Sequence, residues 1–597
     1  MLAAACSEDD QARPQGAVTD SGILTISSSA PATEPTTSAS AGTSGVSGGT
    51  HNGSDTGGAG STSTGDEGTA GAVSSGLLPD CVCVPGEIGG CDDDAQSKCT
   101  ADCLGYEPVP CPPKQTCSGG ACVAFCTPNE RVCAGEAAYK ECDGDGGAFG
   151  PPVPCQDAEG CVGGSCLNLC AQAEAEPSTI GCSFIALRAD NVIDDASDAV
   201  VVGNVSKTKT AMVQLYFTPT WSIAEKAQGG PVALAPGKTR VFQMTNLPFN
   251  RESGLRVGGT YRVQSSIPVV AYQHSPIFAQ ATNDASLLFP EHALKKDYVI
   301  ASWEDTLGYP GYFNVIAVQD GTTVQWTPSQ DTTAGLGVWP VKAGQTGQVT
   351  MNRFDTLQVR VESYGDLTGT FVHADKPIWV LGAAECVNVP NEKVGYCDHI
   401  QEQMLPLDYW GKTYVGARSP KRGTEKHYWR ILGGADGTTV TTDPPQPGTP
   451  IVVNKAQWKE LIVANDTSFI LTGNKPFLAV QYLEGQVAGA GTGDPAMYQM
   501  VPVEQFLDRY AFVTGTGYDV HYVQIIRVQG GADVLVDGVV VDGYSTVGDY
   551  QVADWKISEG AHLAESTMAF GIVGVGYTTA TSYAYPGGLK LAVLNPQ

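Results

Sequence analysis

Basic residues are scarce in this chain: 34 Lys and Arg stand against 63 Asp and Glu over 597 residues, a formal net charge of −29. A polyanionic partner would meet a repulsive field, which argues against nucleic acid. Histidine is scarcer still. There are eight, and none forms the His-x-x-x-His or His-Glu-x-x-His spacing that places two imidazoles on one metal. No phosphate-cradling Gly-x-x-x-x-Gly-Lys-Ser/Thr is present, and no apolar run reaches the roughly 18 residues that cross a bilayer. These gaps remove the common nucleotide-binding, metal-dependent and membrane-spanning classes.

What the chain has in abundance is glycine, 72 residues, and cysteine, 19. Sixteen cysteines fall between Cys81 and Cys182, a density that a reducing compartment would not keep as disulfides, so the protein is expected where thiols oxidise. Their spacing is duplicated. Cys83, Cys91, Cys99, Cys111, Cys117 and Cys122 follow gaps of 8, 8, 12, 6 and 5, and Cys126, Cys133, Cys142, Cys155, Cys161 and Cys166 follow gaps of 7, 9, 13, 6 and 5. Flanking residues repeat too: Pro-Val-Pro precedes both Cys111 and Cys155, and Gly-Gly sits inside both the Cys117/Cys122 and Cys161/Cys166 pairs. Six cysteines per copy imply three bridges each, with 15 connectivities open per copy. Cys81 is expected to pair with Cys103, and Cys170 with Cys182. Zinc at Cys81 and Cys83 is disfavoured because no histidine lies between His51 and His274, and Asp92, Asp93 and Asp94 read better as a solvated turn than as a calcium site.

Before this module, Ser7 to Asp80 is Ser/Thr/Gly/Ala-rich, without Phe, Trp or Tyr and with Arg13 as its only Lys or Arg. Such a segment cannot offset the entropy of ordering, and 74 residues of flexible coil span about 45 to 50 Å. The Gly45 to Gly49 match to Gly-x-Ser-x-Gly lies in this tether, where no strand-to-helix elbow can form. Residues 1–6, Met-Leu-Ala-Ala-Ala-Cys6, read as the remnant of a bacterial lipoprotein signal, with Cys6 as the lipidation site and a true start expected upstream. Removing Cys6 leaves 18 cysteines, an even number that can all pair. Ser7 in the next position suits sorting to an outer membrane.

From residue 183 the pattern changes to short runs rich in Val, Ile, Thr, Tyr and Phe between Gly, Pro, Asn and Asp turns, which are strands. Landmarks recur. Ile267-Pro268, Lys376-Pro377 and Lys475-Pro476 each precede an apolar run, where a proline suits the first residue of a strand. Pro290, Pro406 and Pro502 are each followed eight residues later by Tyr298, Tyr414 and Tyr510. The predicted organisation is a lipoprotein signal remnant (1–6), a disordered linker (7–80), a duplicated disulfide module (81–182) and an all-β tandem array of about four units (183–597). Each unit has the size of a β-sandwich; a β-propeller, with about two four-stranded blades per unit, is the alternative.

Lys376-Pro377-Ile378-Trp379-Val380, Met404-Leu405-Pro406 followed by Trp410-Gly411-Lys412-Thr413-Tyr414, and Asp494 followed by Val501-Pro502 resemble the IgGFc-binding protein N-terminal domain family over about residues 190 to 597. The preceding stalk and cysteine module resemble those of secreted proteins from myxobacteria. The resemblance implies an all-β fold and extracellular binding. It carries over neither the immunoglobulin ligand nor any individual binding residue.

Cys386 and Cys397 stand apart and are expected to form a disulfide closing a loop, in preference to a reactive thiol beside His399. That loop, Glu385 to Gln403, occupies the same place in its unit as Gln273 to Ser286 and Glu484 to Tyr498 do in theirs. Loops so repeated gather on one face, which makes them the candidate binding surface. Trp326, Trp379, Trp410 and Trp429 are expected in cores in preference to stacking on sugars. The reading is a cell-surface or secreted binding and adhesion lipoprotein that recognises an extracellular protein or glycan, with no catalytic residue, cofactor or metal. An extracellular hydrolase acting on polymers, with carboxylates converging in one cleft, and a structural envelope spacer are the competing readings.

Overall fold

The computed structural model describes residues 81–193, 198–278, 281–464 and 466–597. The expected lipidation site Cys6, the Gly45 to Gly49 motif and the tether over 7–80 lie outside them. The fold is all-β with a disulfide-rich N-terminal module, and a helix, Leu169–Ala175, separates the two kinds of structure. Among the described residues no helix is long and apolar enough to cross a membrane.

The module is built from strands of two to five residues, too short to bury much apolar surface. Its core cluster is cysteine itself: Cys83, Cys99 and Cys103. The first copy pairs Cys83 with Cys99, Cys91 with Cys117 and Cys111 with Cys122. The second pairs Cys126 with Cys142, Cys133 with Cys161 and Cys155 with Cys166. The first cysteine thus joins the third, the second the fifth and the fourth the sixth in both copies. Cys81 is bonded to Cys103, and Cys170 to Cys182, which ties the helix to Gly181–Leu187, the first strand of the β region.

Four spines organise that region: Thr260–Ser275, Phe371–Val387, the interrupted pair Phe469–Gly473 and Phe477–Tyr482, and Ala561–Thr578. Each serves two layers. The front half of the second spine is antiparallel to Lys295–Val299 and Thr322–Thr327, and its rear half to Gly311–Ala317 and Asp398–Gln403. The same scheme holds for the first spine, the third and the fourth. The two layers of each unit resemble a sandwich, and in the third unit the rear layer is a four-stranded sheet of Trp458–Val463, His427–Gly433, Phe477–Tyr482 and Met497–Gln499.

The prolines mark where a spine changes layer. Ladder register on the first spine jumps between Gln264 and Val269, spanning Pro268, and on the second between His373 and Ile378, spanning Pro377. Pro268 and Pro377 lie inside their strands, against the expectation that they begin them; only Pro476 precedes a strand, Phe477–Tyr482. At a crossover no ladder donor is needed, so the missing N–H costs nothing. The repeated tyrosines pin the front layer to this point. Tyr298 donates to the Ile378 carbonyl at 2.6 Å, Tyr414 to that of Phe477 and Tyr510 to that of Phe570, while each hydroxyl accepts a backbone N–H from Lys295, Gly411 or Leu507.

Trp326, Trp379, Trp410 and Trp429 are all buried in these cores. The start and the end of the β region meet: the Thr179 N–H donates to the Leu589 carbonyl and the Leu589 N–H to Thr179 Oγ1, both at 3.0 Å.

Candidate functional site

The last strand of each unit, Asp284–Leu287, Asp398–Gln403, Met497–Gln499 and Thr581–Pro586, pairs with the rear half of its own spine on one side only. The free edges are joined to one another by side chains. The Gln403 N–H donates to Ser286 Oγ at 2.7 Å, the Leu405 N–H to Gln499 Oε1 at 2.8 Å, the Asp494 N–H to Ser582 Oγ at 2.9 Å, and Thr581 Oγ1 to Asn283 Oδ1 at 3.2 Å. First unit thus meets second, second meets third, third meets fourth, and fourth meets first. The array is a closed ring, and closure protects edges that would otherwise pair with other chains.

Asp284 lies at the centre of that ring. Its carboxylate accepts the N–H of Ala285 at 2.8 Å, of Gln401 at 3.0 Å and of Met497 at 3.2 Å, and that of Ala584 as well. Ala285, Gln401, Met497 and Ala584 stand opposite His274, Ala383, Tyr482 and Val575 on the four spines, so one side chain collects the matching donor from every unit. Burial pushes the Asp284 carboxyl well above its usual range, and the four donors pull it back.

Three more carboxyls surround it. Asp398 is raised first by burial, then by the charges of Asp494 and Asp284. Asp494 is pushed up to about 7 by burial, against the Gln486 N–H and the Arg422 guanidinium. Glu402 is raised by burial and by Asp284, and accepts the Ser286 hydroxyl at 3.0 Å. His274 and His399 are held down to about 3 and about 4 by burial and stay neutral. All of these side chains are sealed from solvent. Among the described residues, no group of three His, Cys, Asp or Glu has the geometry to hold a metal ion. The donors that Asp284 collects from all four units make the centre a polar fastener.

Above it lie the spine-to-last-strand loops. They are shorter than the sequence ranges: Gln273–Ser275, Glu385–Val387, Asp398–Gln403 and Met497–Tyr498 are ladder, leaving 276–283, 388–397 and 483–496 as connections. These loops touch. The Gly485 N–H donates to the Val389 carbonyl at 3.0 Å and the Ala580 N–H to Gln486 Oε1 at 2.8 Å, while the Ile277 carbonyl of the first loop accepts the Thr516 N–H at 3.2 Å from a different connection of the fourth unit, 514–519. They share one face of the ring. Cys386 and Cys397 are disulfide-bonded across the second loop, a closure that contributes about 2 to 3 kcal/mol. Phe278, Tyr396 and Val487, one from each of three loops, are about half exposed there. Sequence reasoning located the loops but missed these three apolar tips, because an isolated Phe, Tyr or Val in a loop carries no pattern.

Residues 284–576 match the family model described as IgGFc binding protein. The human protein named IgGFc-binding protein is 23% identical over 343 residues, which is 55% of this chain and 6% of that protein's length. The matched segment begins at Asp284, so the first unit's spine and earlier strands lie outside it, although they repeat its pairing scheme.

Proposed function

We propose that the chain, which is similar to the IgGFc-binding family over residues 284–576, is an extracellular binding and adhesion protein whose ring presents one loop face to a protein or glycan. The observation that carries this reading is the contact between loops from successive units, with Phe278, Tyr396 and Val487 about half exposed on them, beside a sealed centre. Exposed apolar and aromatic tips on a rigid base lose little conformational entropy on association and supply the buried anchors of an interface. A lipid on Cys6 would hold the protein to a membrane, with residues 7–80 as tether and the disulfide module as stiff collar. A hydrolase acting on polymers needs paired carboxyls open to substrate; those of the ring centre are closed off.

The test is an array of extracellular proteins and glycans probed with the full chain, alongside the variant Phe278→Ala/Tyr396→Ala/Val487→Ala. Binding reduced at least about tenfold with an unchanged thermal midpoint is the expected result. Undiminished binding by the triple variant would remove the loop face from the account, and product release from a polysaccharide without binding would replace the reading with the hydrolase. Loss of radiolabelled fatty acid on Cys6→Ser tests the anchor.

A further inference from the structure

A second opening, independent of the loop face, lies where the first two units meet at their outer edge. It is a cleft of about 680 Å³ between the turn at 219–222, the segment 247–256 and Leu336. Parallel pairing of Ser253–Arg256 with Gly335–Leu336 holds its two sides together.

Trp221 is its most unusual member. The residue has φ +66°, a left-handed conformation costly for a bulky side chain, and its indole is 63% exposed. The backbone is locked there: the Trp221 N–H donates to the Val257 carbonyl at 2.6 Å and the Ser222 N–H to the Pro219 carbonyl at 2.9 Å. Gly258 leaves room for the turn, since a Cβ there would sit 2.3 Å from the Pro219 carbonyl oxygen. Folding gains little from the indole, yet the fold maintains strain to display it.

The opposite wall is equally fixed. Asn250 and Arg251 both have positive φ, and their N–H groups donate at 2.8 Å to the two oxygens of buried Asp190. Behind them the Arg256 guanidinium lies 3.9 Å over the Phe249 ring and donates to the Pro248 carbonyl at 2.8 Å. Asp190 and Glu252 face the guanidinium with opposite charge.

From these features we infer that the Trp221 cleft is a binding site for a neutral saccharide. A sugar ring has a C–H face and a hydroxyl edge. The indole of Trp221 and the exposed Leu247 and Leu336 match the face, while Arg256, Glu252 and Asn250 match the edge through planar groups that bind adjacent hydroxyls. One Arg and one Glu leave the lining without net charge. A purely apolar ligand would leave the hydrogen-bonding edge of the cleft unused, and an anionic one would face Glu252 and the chain's charge of −29.

The full chain is titrated by calorimetry with cellohexaose, xylohexaose, mannohexaose and chitohexaose. At least one is expected to bind. Trp221→Gly is expected to keep or raise the thermal midpoint, because glycine suits the left-handed turn, while weakening that binding at least about tenfold. Arg256→Gln is expected to weaken it less. The Phe278→Ala/Tyr396→Ala/Val487→Ala variant should bind the same sugar as the wild type, which separates this site from the loop face. No binding by any of the four sugars, or equal binding by Trp221→Gly, overturns the inference. Binding of a Trp- and Leu-containing hexapeptide with none of a sugar would replace the saccharide by a peptide.

Discussion

The cysteine module and the ring solve the same problem, holding short β-strands together, by opposite means. The module has about a hundred residues and a core of three cysteines, so its stability is covalent. The ring buries two large apolar clusters and carries a single disulfide among its described residues, at the loop face. Where strands are too short to bury apolar surface, cross-links restrict the unfolded chain instead. Where they are long, packing suffices, and polar groups are left to fix the register of unit against unit.

The difference gives an ordered set of tests. The largest effect is expected at the ring centre. Asp284→Ala leaves the N–H groups of Gln401, Met497 and Ala584 buried without acceptors, and chemical denaturation should show a loss of about 4 kcal/mol or more. A loss below about 1 kcal/mol would mean that the units hold their places without it.

Next, Cys91→Ser with Cys117→Ser removes one module bridge, at a cost of about 3 kcal/mol confined to that module. Limited proteolysis should then cut within 81–182 while the unfolding midpoint of the ring stays in place. A parallel fall in both would show that module and ring unfold as one.

Smaller again, Tyr298→Phe, Tyr414→Phe and Tyr510→Phe should each cost about 1 to 3 kcal/mol, because each strands a spine carbonyl and an N–H. Similar values at all three sites would make the hydroxyl a shared device of the repeat.

The smallest effect is with pH. Asp494, at 3.8 unfolded and about 7 folded, keeps its proton in the ring over a range where the unfolded chain has lost it. Its contribution is full below the lower value and lost as pH rises through about 7. His274 and His399, held down to about 3 and about 4 from 6.5, act at the other end: the unfolded chain takes up protons first, so stability falls as pH drops below about 6.5. The thermal midpoint of the ring should rise from about pH 4 and peak near about pH 7, and Asp494→Asn should steepen that rise by removing the opposing loss.

Much of this contrast is written in the chain. The duplicated cysteine spacing announces the module, and the proline and tyrosine landmarks announce the repeat, because local motifs recur wherever one structural need recurs. Cys81–Cys103, Cys170–Cys182 and Cys386–Cys397 were legible as leftover pairs, but connectivity within each six-cysteine copy was not, since spacing alone leaves fifteen pairings open. Asp284 was hidden for another reason. Asn283-Asp284-Ala285-Ser286 reads as an ordinary turn, and its partners lie 117 to 300 residues away in the chain. The same holds for Trp221, whose importance comes from a backbone angle; the tryptophans that sequence reasoning weighed for sugar stacking are the buried ones.

Hydrogen exchange on the intact chain tests the closed ring most directly. The last strands Asp284–Leu287, Asp398–Gln403, Met497–Gln499 and Thr581–Pro586 should be among the slowest segments to exchange, and the loop tips around Phe278, Tyr396 and Val487 should exchange far faster. Last strands that exchange as quickly as those tips would contradict a fastened centre.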